Sequence, residues 1–430
     1  MKLSERIRKT GYWAIDKARG GYVRKHLLEL EYFEKHPDVM VQINNERLRS
    51  LIHHAISTTN YYKKQIGAES LGDFPVTPKQ TIKDNYNDFL SSEFTKQNTI
   101  QIRTSGSYGS PFTFFLSKEK KNRQFAEILF FNQKASFYLG RRHANIVTRT
   151  KSGIAQFLAN QIMVNAVVMD ENWLERQRNM LKNKQIEIIV AHPSALLPIA
   201  EYCERKNDTP DDFDVESIIA IAEPIFPNQR DLLKRVIGAE VYSRYSMMET
   251  GVIAQDHLSD RKYSVNTASY VVELLDIDRD EPIQPGQMGR VVVTDLFSQA
   301  MPLIRYDTGD LAILSQQNTY DIILERIVGR TVESVFRPDG VRISPIWIDD
   351  IMEDLDAVRL FQFVQKDKDK FVMRIVRGND YRQESVIDER LKNILGDNVI
   401  IDYEYVNEIP ALPSGKRPFV VNEYYNARLI

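Results

Sequence analysis

The period of the hydrophobic positions changes along this chain, and the changes mark its elements. Between residues 27 and 66 apolar side chains recur at helical spacing, with Leu48, Leu51, Ile52, Ala55 and Ile56 on one face, which predicts a helix closed by Asn60-Tyr61-Tyr62. Phe74 to Lys79 carries two prolines and reads as extended, with a short polar helix from Gln80. Ile100–Arg103 and Phe112–Leu116 read as strands on either side of a hydroxyl-rich loop, and Glu119–Phe137 as a long helix. From Glu171 the pattern alternates. Helices are predicted over Glu171–Lys184, Pro198–Lys206 and Asn228–Ile237, separated by short apolar strands over Ile186–Val190, Ile218–Ile221 and Glu240–Tyr242. That alternation is the signature of a doubly wound α/β sheet, whose ligands bind at the strand carboxyl ends.

Beyond Tyr263 the pattern becomes richer in strands: Val271–Leu275 and Arg290–Thr294, with Gln284-Pro285-Gly286 as the turn between them. After Gly329-Arg330 it changes again, to a helix over Ile346–Leu355, a hairpin of Phe361–Gln365 and Phe371–Arg377, a helix over Glu384–Leu395 and a strand over Val399–Tyr405. The expected fold class is therefore α/β. A large N-terminal α/β domain, residues 1–328, combines a doubly wound sheet with a β-rich part and has a mostly helical lead-in over 1–95. A small α+β C-terminal domain follows over 329–430.

Composition narrows the classes. At 430 residues the chain exceeds one ordinary core, and 43% hydrophobic with 27% charged residues fits a soluble globular protein. A net charge of −2 gives no global field toward nucleic acid. The one cysteine, Cys203, excludes an internal disulfide framework and reads as a buried inert thiol. The seven histidines include no His-Glu-x-x-His, so no structural zinc is expected. No apolar run approaches the ~18 residues of a membrane span, and no secretory signal is visible, which makes a cytoplasmic protein the expectation. One local feature qualifies this. From Lys2 to Lys25, basic residues (Lys2, Arg6, Arg8, Lys9, Lys17, Arg19, Arg24, Lys25) outnumber Glu5 and Asp16 and are interleaved with Leu3, Ile7, Tyr12, Trp13, Ile15 and Tyr22. Two readings stand: a segment peripheral to the inner face of a membrane, or a helix packed on its own domain with a solvated basic face.

Several stretches could carry chemistry. Met301 to Asp310, Met-Pro-Leu-Ile-Arg-Tyr-Asp-Thr-Gly-Asp, follows a strand and reads as a loop that presents polar groups. Thr104 to Pro111 offers hydroxyls, backbone N–H groups and two glycines, which suits phosphate oxygens as well as a plain connector. It lacks the Gly-Lys-Ser/Thr ending of a P-loop, and no Gly-x-Ser-x-Gly elbow is present. His192-Pro193-Ser194 ends a strand, where the histidine either lines a pocket or is structural.

Taken in order, these stretches resemble the motifs of the adenylate-forming enzymes: acyl-coenzyme A synthetases, peptide-synthetase adenylation domains and luciferases. Thr104–Pro111 is similar to the phosphate signature, Ala222-Glu223-Pro224 to the adenine-lining segment, and Tyr245–Gly251 to the Tyr-Gly-x-Thr-Glu motif. Arg305–Asp310 is similar to Tyr-x-Thr-Gly-Asp, Gly329-Arg330 to the hinge, and Pro413-Ser414-Gly415-Lys416 to the C-terminal lysine loop. Asn60-Tyr61-Tyr62, Phe74–Lys79 and Gly289–Leu296 resemble the phenylacetate–coenzyme A ligase branch, and within it the capsular polysaccharide biosynthesis relatives.

The resemblance implies ATP and Mg²⁺, with coenzyme A as one acceptor and an amino-sugar of surface polysaccharide assembly as another, and a small carboxylic acid as substrate. It implies catalysis by Lys416, Glu249 and Arg330, with Glu249 holding Mg²⁺, Asp310 accepting the ribose hydroxyls and Tyr245 packing on adenine. Thr104, Ser105, Gly106, Ser107 and Gly109 would hold the leaving pyrophosphate, and Ala222, Glu223, Pro224, Ser246 and Met247 would line the nucleotide. His192, Met248 and Gly251 would border the acyl group, and the small domain would move as a lid. Tyr108, Ser110, Ser246 and Val332 depart from the family pattern, and no zinc-binding cysteines stand near Asp256-His257. A non-catalytic nucleotide-binding protein on the same fold is the competing reading.

Overall fold

The computed structural model describes residues 2–95, 97–103, 113–147, 153–166, 170–330, 335–343, 348, 351–352, 355, 357–378, 381–410 and 417–426. Three helices lead in: α1 (Leu3–Ala18), α2 (Tyr22–Lys35) and α3 (Pro37–Thr58). The single helix expected over 27–66 is broken at His36, which lies at φ −135°, ψ 67°. The following proline disfavours helical geometry at the residue before it and is accommodated as the first residue of α3, where its missing N–H would bond nothing. The helix also stops earlier than expected, at Thr58. Tyr62 turns into the core, with its hydroxyl against the carbonyls of Pro302 and Ile304.

A two-residue strand, β1 (Thr77–Pro78), precedes α4 (Lys79–Asp84). The hairpin β2 (Thr99–Arg103) and β3 (Thr113–Ser117) pairs Arg103 with Thr113, so it gathers the two ends of the segment between them. The Ser117 hydroxyl accepts from the Lys120 amide at 3.0 Å and starts α5 (Lys118–Lys134).

The parallel part of the sheet is built from β4 (His143–Val147), β5 (Gln161–Asn165), β6 (Ile188–Ala191), β7 (Ser217–Ile221) and β8 (Glu240–Met247). Between these strands lie α6 (Gly153–Ala159), α7 (Glu171–Asn183), α8 (Pro193–Arg205) and α9 (Pro227–Ile237). The sequence pattern does not reveal β4 and β5, because His143, Asn145, Gln161 and Asn165 interrupt their apolar runs. Alternate residues of the strands, among them Ile146, Ile189, Ile218 and Val241, pack against Leu196, Ile199, Leu233 and Val236 of the helices. Cys203 lies in this layer, and burial pushes its thiol up to about 12, which leaves it protonated and inert. The residues just after α5 cover the other face through Ala135 and Phe137 against Ile219 and Tyr242.

Antiparallel strands extend this sheet: β9 (Gly251–Asp256), β10 (Tyr263–Val265), β11 (Tyr270–Leu275), β12 (Met288–Asp295), β13 (Tyr306–Gln317) and β14 (Ile322–Arg330). The order is β11-β12-β13-β14-β10-β9-β8-β7-β6-β4-β5, with β1 alongside β13, twelve strands in all.

A second unit follows, with the short pair β15 (Val335–Phe336) and β16 (Arg342–Ile343) and a four-stranded sheet. That sheet comprises β17 (Val358–Gln365), β18 (Lys370–Arg377), β19 (Ile400–Tyr405) and β20 (Val420–Asn422) in the order β19-β18-β17-β20. The helix Glu384–Leu395 seals its own core, in which Ile387 and Leu391 meet Phe363, Phe371, Met373 and Ile375. The helix expected over Ile346–Leu355 lies largely outside the described residues.

Candidate active site

The stretch expected as a loop from Met301 to Asp310 is irregular only to Arg305; from Tyr306 it is strand β13. Its docking against β1 explains the difference. Thr77 and Pro78 pair in parallel with Tyr306 and Asp307, the Thr77 amide donates to the Arg305 carbonyl at 2.8 Å, and Arg305 Nη1 donates to the Phe74 carbonyl at 2.9 Å. Arg305 also grips both oxygens of Glu273, at 3.0 and 2.9 Å, while its backbone sits at φ 45°. A non-glycine residue at positive φ stores strain that only such surrounding bonds sustain.

Two partners hold the acids of this motif in different ways. Asp307 is paired with Arg290 at 2.9 Å. Asp310 is buried, and its Oδ2 accepts from the Tyr245 hydroxyl at 2.7 Å. Tyr245 lies in β8, and Ser246 and Met247 complete that strand opposite Val252 and Gly251. On its other side Asp310 is the cross-strand partner of Arg330, at the last rung between β13 and β14. Three motifs far apart in the chain thus meet at one residue, two through side chains and the third through the backbone ladder.

Glu249 stands in the turn between β8 and β9 and is only 3% exposed. The Tyr306 hydroxyl donates to its Oε1 at 3.0 Å, and Lys79 Nζ stands 3.7 Å from the same oxygen. Lys79 and Tyr306 belong to the stretches 74–79 and 305–310, and the docking of β1 on β13 is what aims both at Glu249; neither side chain stands out from local pattern. Behind the turn lies a buried polar cluster. Tyr270 donates to the Thr250 carbonyl at 2.6 Å and lies 2.9 Å from Glu127 Oε2, while Lys120 pairs with Asp295 at 2.6 Å. Burial pushes Glu127 and Asp295 up, and the cations Lys120 and Arg123 oppose it. At Gly251, φ is +116°, and a Cβ would stand 2.4 Å from Glu127 Oε2, so only glycine fits. Met248, in the same turn, is 44% exposed.

A magnesium ion bound with nucleotide phosphates needs few protein ligands. Glu249 supplies one carboxylate, and no group of three or more potential metal-binding side chains occurs among the described residues. The donor set therefore fits an ion that arrives with ATP and takes its remaining oxygens from phosphate and water.

The third edge of the site is formed by β6 and β7. His192, just past β6, occupies the N-cap position of α8 and is buried. Ala222, just past β7, sits at φ 67°, a second non-glycine residue at positive φ. Glu223 accepts from the amide and hydroxyl of Ser194, both at 2.9 Å, and from the Arg417 amide at 3.2 Å. Arg417, which follows Lys416 in sequence, also donates Nη1 to the Ser194 carbonyl at 3.2 Å. That carbonyl is available for a physical reason. Helix α8 begins five residues ahead of the expected Pro198 start, at Pro193, leaving Pro198 in its interior. A proline has no N–H for the carbonyl four residues back, which here is Ser194. Between the two units a cleft opens, lined by Pro224, Phe226, Arg359, Phe361 and Phe419 among others.

Thr104, Ser105, Gly106, Ser107, Gly109 and Lys416 lie outside the described residues, as does the Arg330 side chain. Phe114 of β3 packs in the same cluster as Tyr306, so the hairpin that carries 104–112 stands beside this site.

The fold is that of the adenylate-forming ligases. A 2-hydroxyisobutyryl-CoA ligase, solved in the postadenylation state in complex with R3-HIB-AMP, superposes with a TM-score of 0.72 at 17% identity over 90% of each chain. ATP-bound MatB from Rhodopseudomonas palustris superposes with a TM-score of 0.53 at 14% identity, over 76% of this chain and 67% of that one. Within this class, residues 335–423 match the CapK C-terminal domain family. Protein CapK of Staphylococcus aureus is 22% identical over 429 residues, 93% of each chain. A phenylacetate-coenzyme A ligase of Pseudomonas putida is 24% identical over 335 residues, 73% of this chain and 75% of that protein. The resemblance drawn from the motifs is borne out: these findings support an adenylate-forming ligase of the phenylacetate–coenzyme A ligase-like branch, with capsular relatives.

Proposed function

We propose that this protein activates a carboxylic acid with ATP, forming an acyl-adenylate and releasing pyrophosphate, and then passes the acyl group to a nucleophile. The observation that carries the proposal is the buried contact of Tyr245 with Asp310, which unites the Tyr245–Gly251 and Arg305–Asp310 motifs beside Glu249. In the first step a carboxylate oxygen attacks the α-phosphorus, and the bond to the pyrophosphate oxygen breaks. Asp310 would accept the ribose hydroxyls, as an ionised acid with four lone-pair sites can while also accepting from Tyr245. Tyr245 and Ala222–Pro224 would flank the base. Glu249 would hold Mg²⁺, which neutralises the phosphate charge. Lys416 would stabilise the charge that develops as two anions are joined. His192, Met248 and Gly251 would border the acyl group.

In the second step the nucleophile attacks the acyl carbon and AMP leaves. The acceptor would be the thiol of coenzyme A, which the names of the phenylacetate-coenzyme A ligase relatives support, or the amine of an amino-sugar in surface polysaccharide assembly. Carboxylate-dependent pyrophosphate release, measured over a panel of acids with hydroxylamine trapping, tests the first step. One acid class should give release, and Lys416→Ala should lower it by about 10²–10³-fold, the scale of losing one preorganised charge at the transition state. Adding coenzyme A or an amino-sugar then identifies the acceptor by its acylated product. ATP binding without release for any acid would instead establish a non-catalytic nucleotide-binding protein.

A further inference from the structure

Helix α1 carries its charges and its apolar side chains on unexpected sides. Both acids face inward: Glu5 is 2% and Asp16 7% exposed. Glu5 accepts from the Lys2 amide at 2.9 Å, and Asp16 from the amides of Val23 and Arg24 at 3.2 and 3.0 Å. Tyr12 and Trp13 pack on the body of the protein. Leu3, Ile7, Gly11 and Ile15 follow one another at i, i+4 spacing, and the three large ones are 75%, 63% and 47% exposed. Ala14 and Ala18 fall on the same stripe, Arg6 and Lys17 on one flank, and Arg8 on the other. Phe157 and Leu158 of α6 are 69% and 60% exposed. They adjoin the stripe, because Arg8 lies over the Phe157 ring at 4.6 Å and donates to its carbonyl.

We propose that this face lies on an anionic lipid bilayer, with Leu3, Ile7, Ile15, Phe157 and Leu158 entering the acyl boundary and the flanking basic groups meeting headgroup phosphates. An exposed apolar stripe along a helix, flanked by cations, is the pattern of a helix in the interfacial plane. With both of the helix's own acids buried, its outward charge is positive and complements an anionic surface, worth about fivefold in affinity per basic side chain near it. A polar cleft lined by Lys2, Glu5, Arg8, Arg142 and Lys184, among others, opens beside the helix. The helix is firmly seated for this role. Lys2 pairs with Glu187 at 3.0 Å, and the Glu5 carbonyl lies 2.3 Å from where a Cβ on Gly140 would stand. Gly140, Arg142, Asn160 and Glu187 all precede the parallel strands β4, β5 and β6, whereas Ala222 and His192 follow β7 and β6. The docking face therefore covers the amino ends of the strands, and the nucleotide edge at their carboxyl ends stays open.

Sedimentation of the full chain with vesicles tests this. Vesicles of phosphatidylglycerol mixed with phosphatidylcholine should bind at least about tenfold more tightly than pure phosphatidylcholine, and added salt should weaken the binding. Leu3→Glu combined with Ile7→Glu should lower binding by at least about tenfold, and Phe157→Ala, a milder change outside α1, should lower it severalfold without loss of folding. No binding to anionic vesicles, equal binding to both compositions, or binding indifferent to these variants would overturn the proposal. So would a concentration-dependent dimer that the double variant dissociates, since a second copy would then cover the face.

Discussion

Tyr245 and His26 show how much a single buried side chain can decide. The Tyr245 hydroxyl donates to Asp310 at 2.7 Å in a buried position, and hydrogen bonds to a charged group contribute about 1.5–3 kcal/mol. Tyr245→Phe keeps the ring and removes the bond that orients the carboxylate, so ATP should bind about tenfold or more weakly by calorimetry, with the circular dichroism unchanged. Unaltered affinity would show that Asp310 needs no such orientation. His26 reports on pH. Burial, and then the Arg123 guanidinium, hold its pKa down to about 4. Between that value and the unfolded pKa of about 6.5 the unfolded chain binds the extra proton, so stability is fully present above that window and falls as pH drops through it. The loss approaches roughly 2–3 kcal/mol near pH 4. Denaturant unfolding should show it, and His26→Asn should flatten the slope over that range relative to wild type; parallel slopes would count against the assignment.

At the scale of elements, agreement between sequence and structure follows how local the causes are. The helices over 118–134, 171–183, 227–237 and 384–395 are set by their own apolar spacing and were readable from it. The body of α8 was too, but not its start, which lies one turn ahead of Pro198, where the freed Ser194 carbonyl finds its partner in Arg417, 223 residues away. Strands β4 and β5 hide behind polar residues, and β13 reads as a loop until β1 docks on it. Most of the motif residues were legible as types in order. Their convergence was not, and neither were Lys79 and Tyr306 beside Glu249, since parallel strand pairing is invisible to local pattern. Pro198→Ala would give α8 its missing internal bond, in competition with the Arg417 contact. Global stability should hold or rise, while hydrogen exchange at the Arg417 amide should speed up about fivefold, the equivalent of about 1 kcal/mol. Unchanged exchange would mean the proline plays no part in seating the second unit.

At the scale of the whole molecule, one sheet of twelve strands joins a parallel half, where α8 and α9 pack, to an antiparallel half that supplies Asp310 and Glu249's partner Tyr306. The β13–β14 ladder ends on the pair Asp310 and Arg330, the last pairing before the chain passes to the second unit. This matters to anyone who would exchange parts between relatives. A graft that brought in a foreign second unit together with its own copy of residue 330 would replace one member of the pair that squares the backbone at Asp310. The natural suture lies after Arg330, so that the recipient keeps both ends of its own rung and the borrowed piece brings only what comes later.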